Sequence, residues 1–305
     1  MKLRLSKRVV PNLMAAGMTL LALSGCTKQE GKGIYRTEAL DNQTWESSTW
    51  ISVVNAPVVT GTVVDGTRAA DGANWFVTTI KNPQKVTSAR WMTSALGVYD
   101  IYVNGQLIGN EILKPGFTHH DKTKLSFTYD ITDAFNTGAD AENVLSAQVT
   151  PGWWADKIVT PSDRSHVMIG KKCAFRGVLE LTYADGSKQI FGTDTTNWKA
   201  GIAGPVTHAA IFDGEEYDAR IQPGYETPDK LSTPEVNTEF NGELVPSKGA
   251  EVYFRHDLAL APVKAYTWEG VTGGSDEEFG KIVVKQEYKA GEPMTIKPGE
   301  HLVID

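Results

Sequence analysis

The run Gly97-Val98-Tyr99-Asp100-Ile101-Tyr102-Val103-Asn104-Gly105-Gln106-Leu107-Ile108-Gly109 constrains this chain more than any other stretch. Tyr99, Ile101 and Val103 alternate with Val98, Asp100 and Tyr102, the period of a strand buried on one face. Asn104 and Gly105 both tolerate positive φ, as a two-residue type I′ turn requires. Gln106, Leu107 and Ile108 then begin the return strand. A lone hairpin is marginal in water, so this one must lie in a larger sheet whose apolar face is covered.

Other strand-length runs follow the same logic. Trp75 to Ile80 reads as a strand, Leu125, Phe127 and Tyr129 alternate with polar partners, and Leu145, Ala147 and Val149 form the next alternation. Val178 to Tyr183 and Gln189 to Phe191 flank Asp185-Gly186, which predicts a second hairpin. No long segment carries a helical period, so the fold class is all-β, a sandwich or jelly roll. From 222 to 250 the chain carries Pro223, Gly224, Pro228, Pro234, Gly242 and Pro246 among polar residues, which reads as an extended linker. Strands resume from 251, at Val252-Tyr253-Phe254, Ala265 to Trp268 and Lys281 to Tyr288. An apolar run has just begun at Leu302-Val303-Ile304. Residues 251–305 are therefore expected to be the start of a second β-domain that is not completed.

The N-terminus carries a separate signal. Lys2, Arg4, Lys7 and Arg8 precede an apolar run from Leu13 to Leu23 that is too short to span a bilayer, and Leu23-Ser24-Gly25-Cys26 closes it as a lipobox. Residues 1–25 are expected to be a lipoprotein signal peptide, Cys26 the lipidated residue and 26–39 a polar tether. Thr27 is not an aspartate, which favours the outer membrane of a Gram-negative bacterium over the inner one. Removing the signal takes away four positive and no negative charges, so the formal charge goes from −7 to −11. An acidic chain without a basic stripe argues against nucleic acid as a partner, and against any membrane contact except the lipid anchor. Cys173 is then the remaining cysteine, and in Cys-Ala-Phe-Arg-Gly-Val-Leu-Glu-Leu it reads as a small buried hydrophobe.

A set of pieces in order carries a family resemblance: Gly97-Val98-Tyr99, Val103-Asn104-Gly105, Pro115-Gly116-Phe117-Thr118, Thr128-Tyr129-Asp130-Ile131-Thr132, Gly152-Trp153-Trp154, Tyr183-Ala184-Asp185-Gly186, Thr193-Asp194 with Trp198, and Phe212-Asp213-Gly214-Glu215 with Tyr217-Asp218-Ala219-Arg220. The chain resembles the N-terminal region of bacterial α-L-rhamnosidases of glycoside hydrolase family 78, over roughly residues 40 to 305. The resemblance implies a jelly-roll, galactose-binding-like β-sandwich over 40–221. It also implies inverting hydrolysis of terminal α-L-rhamnose by carboxylates of an (α/α)6 barrel, which this sequence does not contain. No residue here inherits a catalytic role, and the chain alone is expected to be inactive.

Among the residues present, Trp153 and Trp154 with Asp156 are the candidate carbohydrate contact. An indole face covers the C–H face of a pyranose and a carboxylate accepts from its hydroxyls. The alternative is that one Trp packs in the core while the other covers a loop base. Asp213, Glu215, Glu216 and Asp218 could supply oxygen ligands to Ca2+, the one cofactor considered. They lack a calcium-loop ligand pattern, and the alternative is a turn and strand in which Arg220 pairs with a carboxylate. Some rhamnosidases bind rhamnose through calcium on a related sandwich, but those ligands do not map onto this sequence. His119-His120-Asp121 reads as a solvated loop, since no second ligand pair accompanies it.

The leading expectation is a non-catalytic β-sandwich portion of a rhamnosidase-like hydrolase that meets a rhamnose-containing glycan, its catalytic domain supplied in cis or in trans. The alternative is a scaffold lipoprotein that docks a separately encoded barrel without binding sugar. A complete enzyme with a new site is the third reading.

Overall fold

The computed structural model describes residues 35–54, 56, 72–156, 169–211, 214–249, 252–272 and 281–305. They fall into two compact units, one reaching Phe254 and the other beginning at Arg255. The first contains β1 (Tyr35–Arg36), β2 (Ile51–Ser52), β3 (Asn74–Lys81), β4 (Val86–Leu96), β5 (Val98–Val103), β6 (Gln106–Ile108), β7 (Glu111–Ile112), β8 (Thr123–Asp130) and β9 (Glu142–Thr150). A one-turn helix α1 (Gly152–Ala155) follows, then β10 (Ala174–Tyr183), β11 (Lys188–Gly192), β12 (Lys199–Ile202), β13 (Val206–Ala210), β14 (Gly214–Tyr217), β15 (Glu235–Val236), β16 (Glu243–Pro246) and β17 (Val252–Tyr253).

Two sheets face each other. One runs β1-β8-β4-β10-β2-β15, with β11 on β10 and β16 parallel to β8, and the other runs β12-β3-β9-β5-β6. The expected hairpin lies in the second, with Val103 opposite Gln106 and Asn104 and Gly105 at φ 51° and 79°. Its alternation is realised: Tyr99, Ile101 and Val103 are buried while Val98, Asp100 and Tyr102 are half-buried on the outer face. At Gly97 the chain passes from β4 of one sheet to β5 of the other. There φ is 135°, and a Cβ would stand 2.3 Å from the Thr150 carbonyl oxygen, so only glycine fits. The Asp185-Gly186 hairpin is looser than a two-residue turn. Tyr183 N–H donates to Ser187 O at 2.9 Å, and only Gly186 has positive φ, as in a type I turn followed by a left-handed residue.

The core lies between the sheets around Phe175 of β10. Its ring meets Phe76 at 5.9 Å and Tyr99 at 6.3 Å from the facing sheet, Trp91 at 6.1 Å on its own sheet, and Trp198 at 5.7 Å. Full burial of such a side chain contributes about 2–3 kcal/mol. Cys173 is buried among these residues as expected, and burial pushes its thiol up to about 12.

The stretch 222–250 corrects the expected linker. It is extended chain sewn onto the sandwich: Ser232 and Ala200 exchange backbone hydrogen bonds of 2.9 and 2.7 Å, β15 pairs with β2, and Phe240 and Leu244 enter the core. Its prolines and polar residues give it the composition of a linker, but Leu231, Phe240 and Leu244, spaced along it, are buried against the sandwich.

The second unit is a three-stranded antiparallel sheet of β18 (Lys264–Thr272), β19 (Lys281–Lys289) and β20 (His301–Ile304), in the order β19-β18-β20. Ala265, Thr267 and Tyr288 are buried in it, and Tyr288 Oη donates to Thr295 O at 3.0 Å.

Candidate functional site

The expected sugar contact is built on α1, directly after β9. Gly152 begins it at φ 51°, where a Cβ would meet Val98 Cγ2 at 2.5 Å and Val98 N at 2.9 Å, so glycine is required there. They part company. Trp154 is only 3% exposed; its Nε1 donates to Lys172 O at 3.0 Å, and its ring packs edge-on against Phe240 and His120. Lys124 Nζ stands 4.5 Å above that ring. Trp153 stays half-buried, and its ring meets Phe117, 66% exposed, at 5.9 Å and 88°.

Two of the three expected contacts are therefore corrected. Trp154 has no face open to a pyranose, and Asp156 is 2% exposed with Oδ2 accepting from Ile211 N at 3.0 Å. A carboxylate held this way clasps a loop. Trp153 keeps a surface position, and its partner is Phe117, a residue quoted above only as part of a motif. The signal that could have found it is the Pro115-Gly116 pair, which turns the chain and leaves an aromatic side chain at a loop tip.

His119-His120-Asp121 is only partly the solvated loop expected. His119 and Asp121 are joined by an exposed side-chain hydrogen bond, whereas His120 is buried, with Nδ1 against Lys124 Nζ and its ring 4.7 Å from Phe117. Burial, then the charge of Lys124, hold the His120 imidazole down at about 4. Lys124 is itself buried, and desolvation lowers its ammonium to about 8.

The acidic group behaves differently from a cation site. Asp213 lies outside the described residues, as does Cys26. Glu215 and Glu216 are exposed neighbours on β14 and point to opposite faces of the β13–β14 hairpin. Both oxygens of Asp218 are taken by Arg220, whose Nε donates to Oδ1 at 2.8 Å and Nη2 to Oδ2 at 2.6 Å. That fork holds the Asp218 carboxyl down at about 2. Among the described residues no group of three or more His, Cys, Asp or Glu is assembled to hold a metal.

A second aromatic group, missed by the sequence reading, lies on the outer face of the five-stranded sheet. Trp75, Tyr102 and Tyr225 meet pairwise at 5.6, 5.5 and 5.6 Å. Tyr225 comes from the stretch read as linker, so no local pattern could place it there.

Fold and surface together define a jelly-roll β-sandwich module with aromatic rings at two places on its outside. Residues 84–252, more than half of the chain, match the family of α-L-rhamnosidase N-terminal domains, and the chain belongs to that family. Relatives described as α-L-rhamnosidases include one from Streptomyces avermitilis, 36% identical over 45% of this chain and 12% of that protein. Another, from Formosa agariphila, is 29% identical over 68% of this chain and 21% of that protein. Among solved structures, α-L-rhamnosidase from Aspergillus terreus aligns over 80% of this chain and 26% of its own at a TM-score of 0.60 and 23% identity. The Streptomyces avermitilis enzyme, complexed with L-rhamnose, aligns over 68% and 23% at 0.54, also at 23% identity, and these likenesses support the fold. The chain thus spans 12–21% of the length of these two curated relatives.

Proposed function

We propose that this chain is the non-catalytic β-sandwich portion of an α-L-rhamnosidase-like glycoside hydrolase, working on rhamnose-containing glycans beside a catalytic domain in cis or in trans. The observation that carries the reading is the family match itself, which lies across β4 to β17, the sandwich, and falls on N-terminal domains. The described residues fit this role: the tryptophans and carboxylates that chemistry would recruit are mostly committed to packing and loop clasps. Trp153 and Phe117 are the surface rings at the corner expected to meet sugar. The reading is tested with purified chain and an aryl α-L-rhamnoside. No release of the aryl alcohol is expected from the chain alone, and turnover by it would overturn the non-catalytic assignment.

The lipobox at Leu23-Ser24-Gly25-Cys26 supports export as an outer-membrane lipoprotein anchored through Cys26. Labelling cells with an alkynyl palmitate should mark the wild-type chain and not Cys26→Ser, and equal labelling of both would remove the anchor.

A further inference from the structure

The outer face of the five-stranded sheet carries an unusual amount of unused hydrogen-bonding capacity. Across β3, β9 and β5 the register puts Trp75, Gln148 and Asp100 in one row and Val77, Ser146 and Tyr102 in the next. Asp100 and Tyr102 are two apart on one strand face, about 7 Å along it. Tyr225 lies beside Tyr102, its ring 5.6 Å away and inclined at 43°. The indole Nε1 of Trp75 and the Oγ of Ser146 are both buried and have no hydrogen-bond partner. Asp100, Gln148, Tyr102 and Tyr225 are half-buried, and none of their side chains makes a hydrogen bond to any described residue. Trp75 and Ser146 are sealed beneath this face, whereas Asp100, Gln148, Tyr102 and Tyr225 keep part of their side chains at the surface with no hydrogen-bond partner among the described residues, so a ligand lying over them can pair with them.

The chemistry of that partner follows from the groups present. Two tilted tyrosine rings offer π-faces to C–H bonds, a carboxylate accepts from hydroxyls, and an amide both donates and accepts. Desolvation raises the Asp100 carboxyl, and the charge of Lys114 works against that rise, so the group sits where a hydrogen bond is worth more than in open water. Glu226 adds negative charge beside Tyr225, which disfavours an anionic ligand.

We propose that Tyr102 and Tyr225, with Asp100 and Gln148, form a binding site for one neutral pyranoside ring on the outer face of the sheet, a place distinct from the Trp153–Phe117 corner. The site rests on the reading that this module meets glycan, and it specifies where and by which chemistry.

The test is calorimetric titration of the full chain with methyl α-L-rhamnopyranoside, methyl β-D-galactopyranoside and methyl β-D-glucuronide, repeated on variants. At least one neutral glycoside should bind with Kd of about 1 mM, and the glucuronide about tenfold more weakly. Tyr102→Ala should weaken binding about tenfold and Asp100→Asn about fivefold, while Trp153→Ala leaves it unchanged. Asp100→Asn is nearly isosteric and Tyr102→Phe keeps the ring, so loss of folding in Tyr102→Ala does not remove the test. No binding of either neutral glycoside by folded protein up to about 10 mM overturns the site. So does wild-type affinity in Asp100→Asn and both Tyr102 variants, or tighter binding of the glucuronide. Binding lost in Trp153→Ala but kept in those variants overturns this site and leaves the module's proposed role standing. Rhamnoside turnover by the chain alone would overturn that role without touching the site.

Discussion

Replacing Trp154 by alanine separates a packing tryptophan from a binding one, and its cost can be worked from the contacts. The side chain is 3% exposed, so truncation removes a large apolar volume from between Phe240, His120 and Gly170. Deletions of this kind cost about 3–5 kcal/mol. The Lys172 carbonyl loses its 3.0 Å indole donor, adding about 1 kcal/mol, and Lys124 loses the ring 4.5 Å below its ammonium. The total, about 4–6 kcal/mol, is a large part of the ~5–15 kcal/mol that holds a domain folded. For a unit of this size it should lower Tm by about 10–20 °C. Trp153→Ala removes a half-buried ring at the same corner and should cost about 1 kcal/mol or less. Thermal unfolding followed by far-ultraviolet circular dichroism, run on both variants, gives the comparison. A Trp154→Ala protein melting within about 3 °C of wild type, or less destabilised than Trp153→Ala, would refute the assignment of Trp154 to the core.

Further predictions concern charge. His120 is held at about 4 in the fold, so between its ordinary value and 4 the unfolded chain takes up a proton that the folded one refuses. Stability should fall as pH drops through that window, at up to about 1.4 kcal/mol per pH unit, and His120→Asn should flatten the profile. Lys124, lowered to about 8, works at the other end: above that value the folded chain has released a proton the unfolded chain still holds, so its share of stability rises with pH. The rise should be visible up to pH 10, where burial of the Tyr99 and Tyr129 hydroxyls begins to favour the unfolded, ionised tyrosines. Lys124→Met should abolish it, and an unchanged slope in that variant would refute the assignment. At Asp218, carboxyl titration by NMR should give a midpoint near 2 that returns to the ordinary carboxylate range in Arg220→Ala, and an unmoved midpoint would refute the pairing.

Particular elements show where reading residues in order succeeded. The Asn104-Gly105 turn and the alternation around it came out as read, because φ tolerance and a period of two are properties of a few adjacent residues. The stretch 222–250 reads as a linker because its composition is that of one, while its attachment depends on β2 and β8, which lie far earlier in the chain. Nothing adjacent to His120 in the sequence reveals that Phe117, Lys124 and Trp154 close over it.

Taken alone, then, the sequence determined that this is a β-sandwich built from hairpins and tied it to rhamnosidase N-terminal regions, since strand period, turn chemistry and ordered motifs are local. Which of two adjacent tryptophans is buried, which carboxylates are already occupied, and which outward rings come together were decided by the tertiary structure. Burial and pairing are set by what arrives from distant strands: Lys172 fixes Trp154, Ile211 occupies Asp156, and Tyr225 covers Trp75.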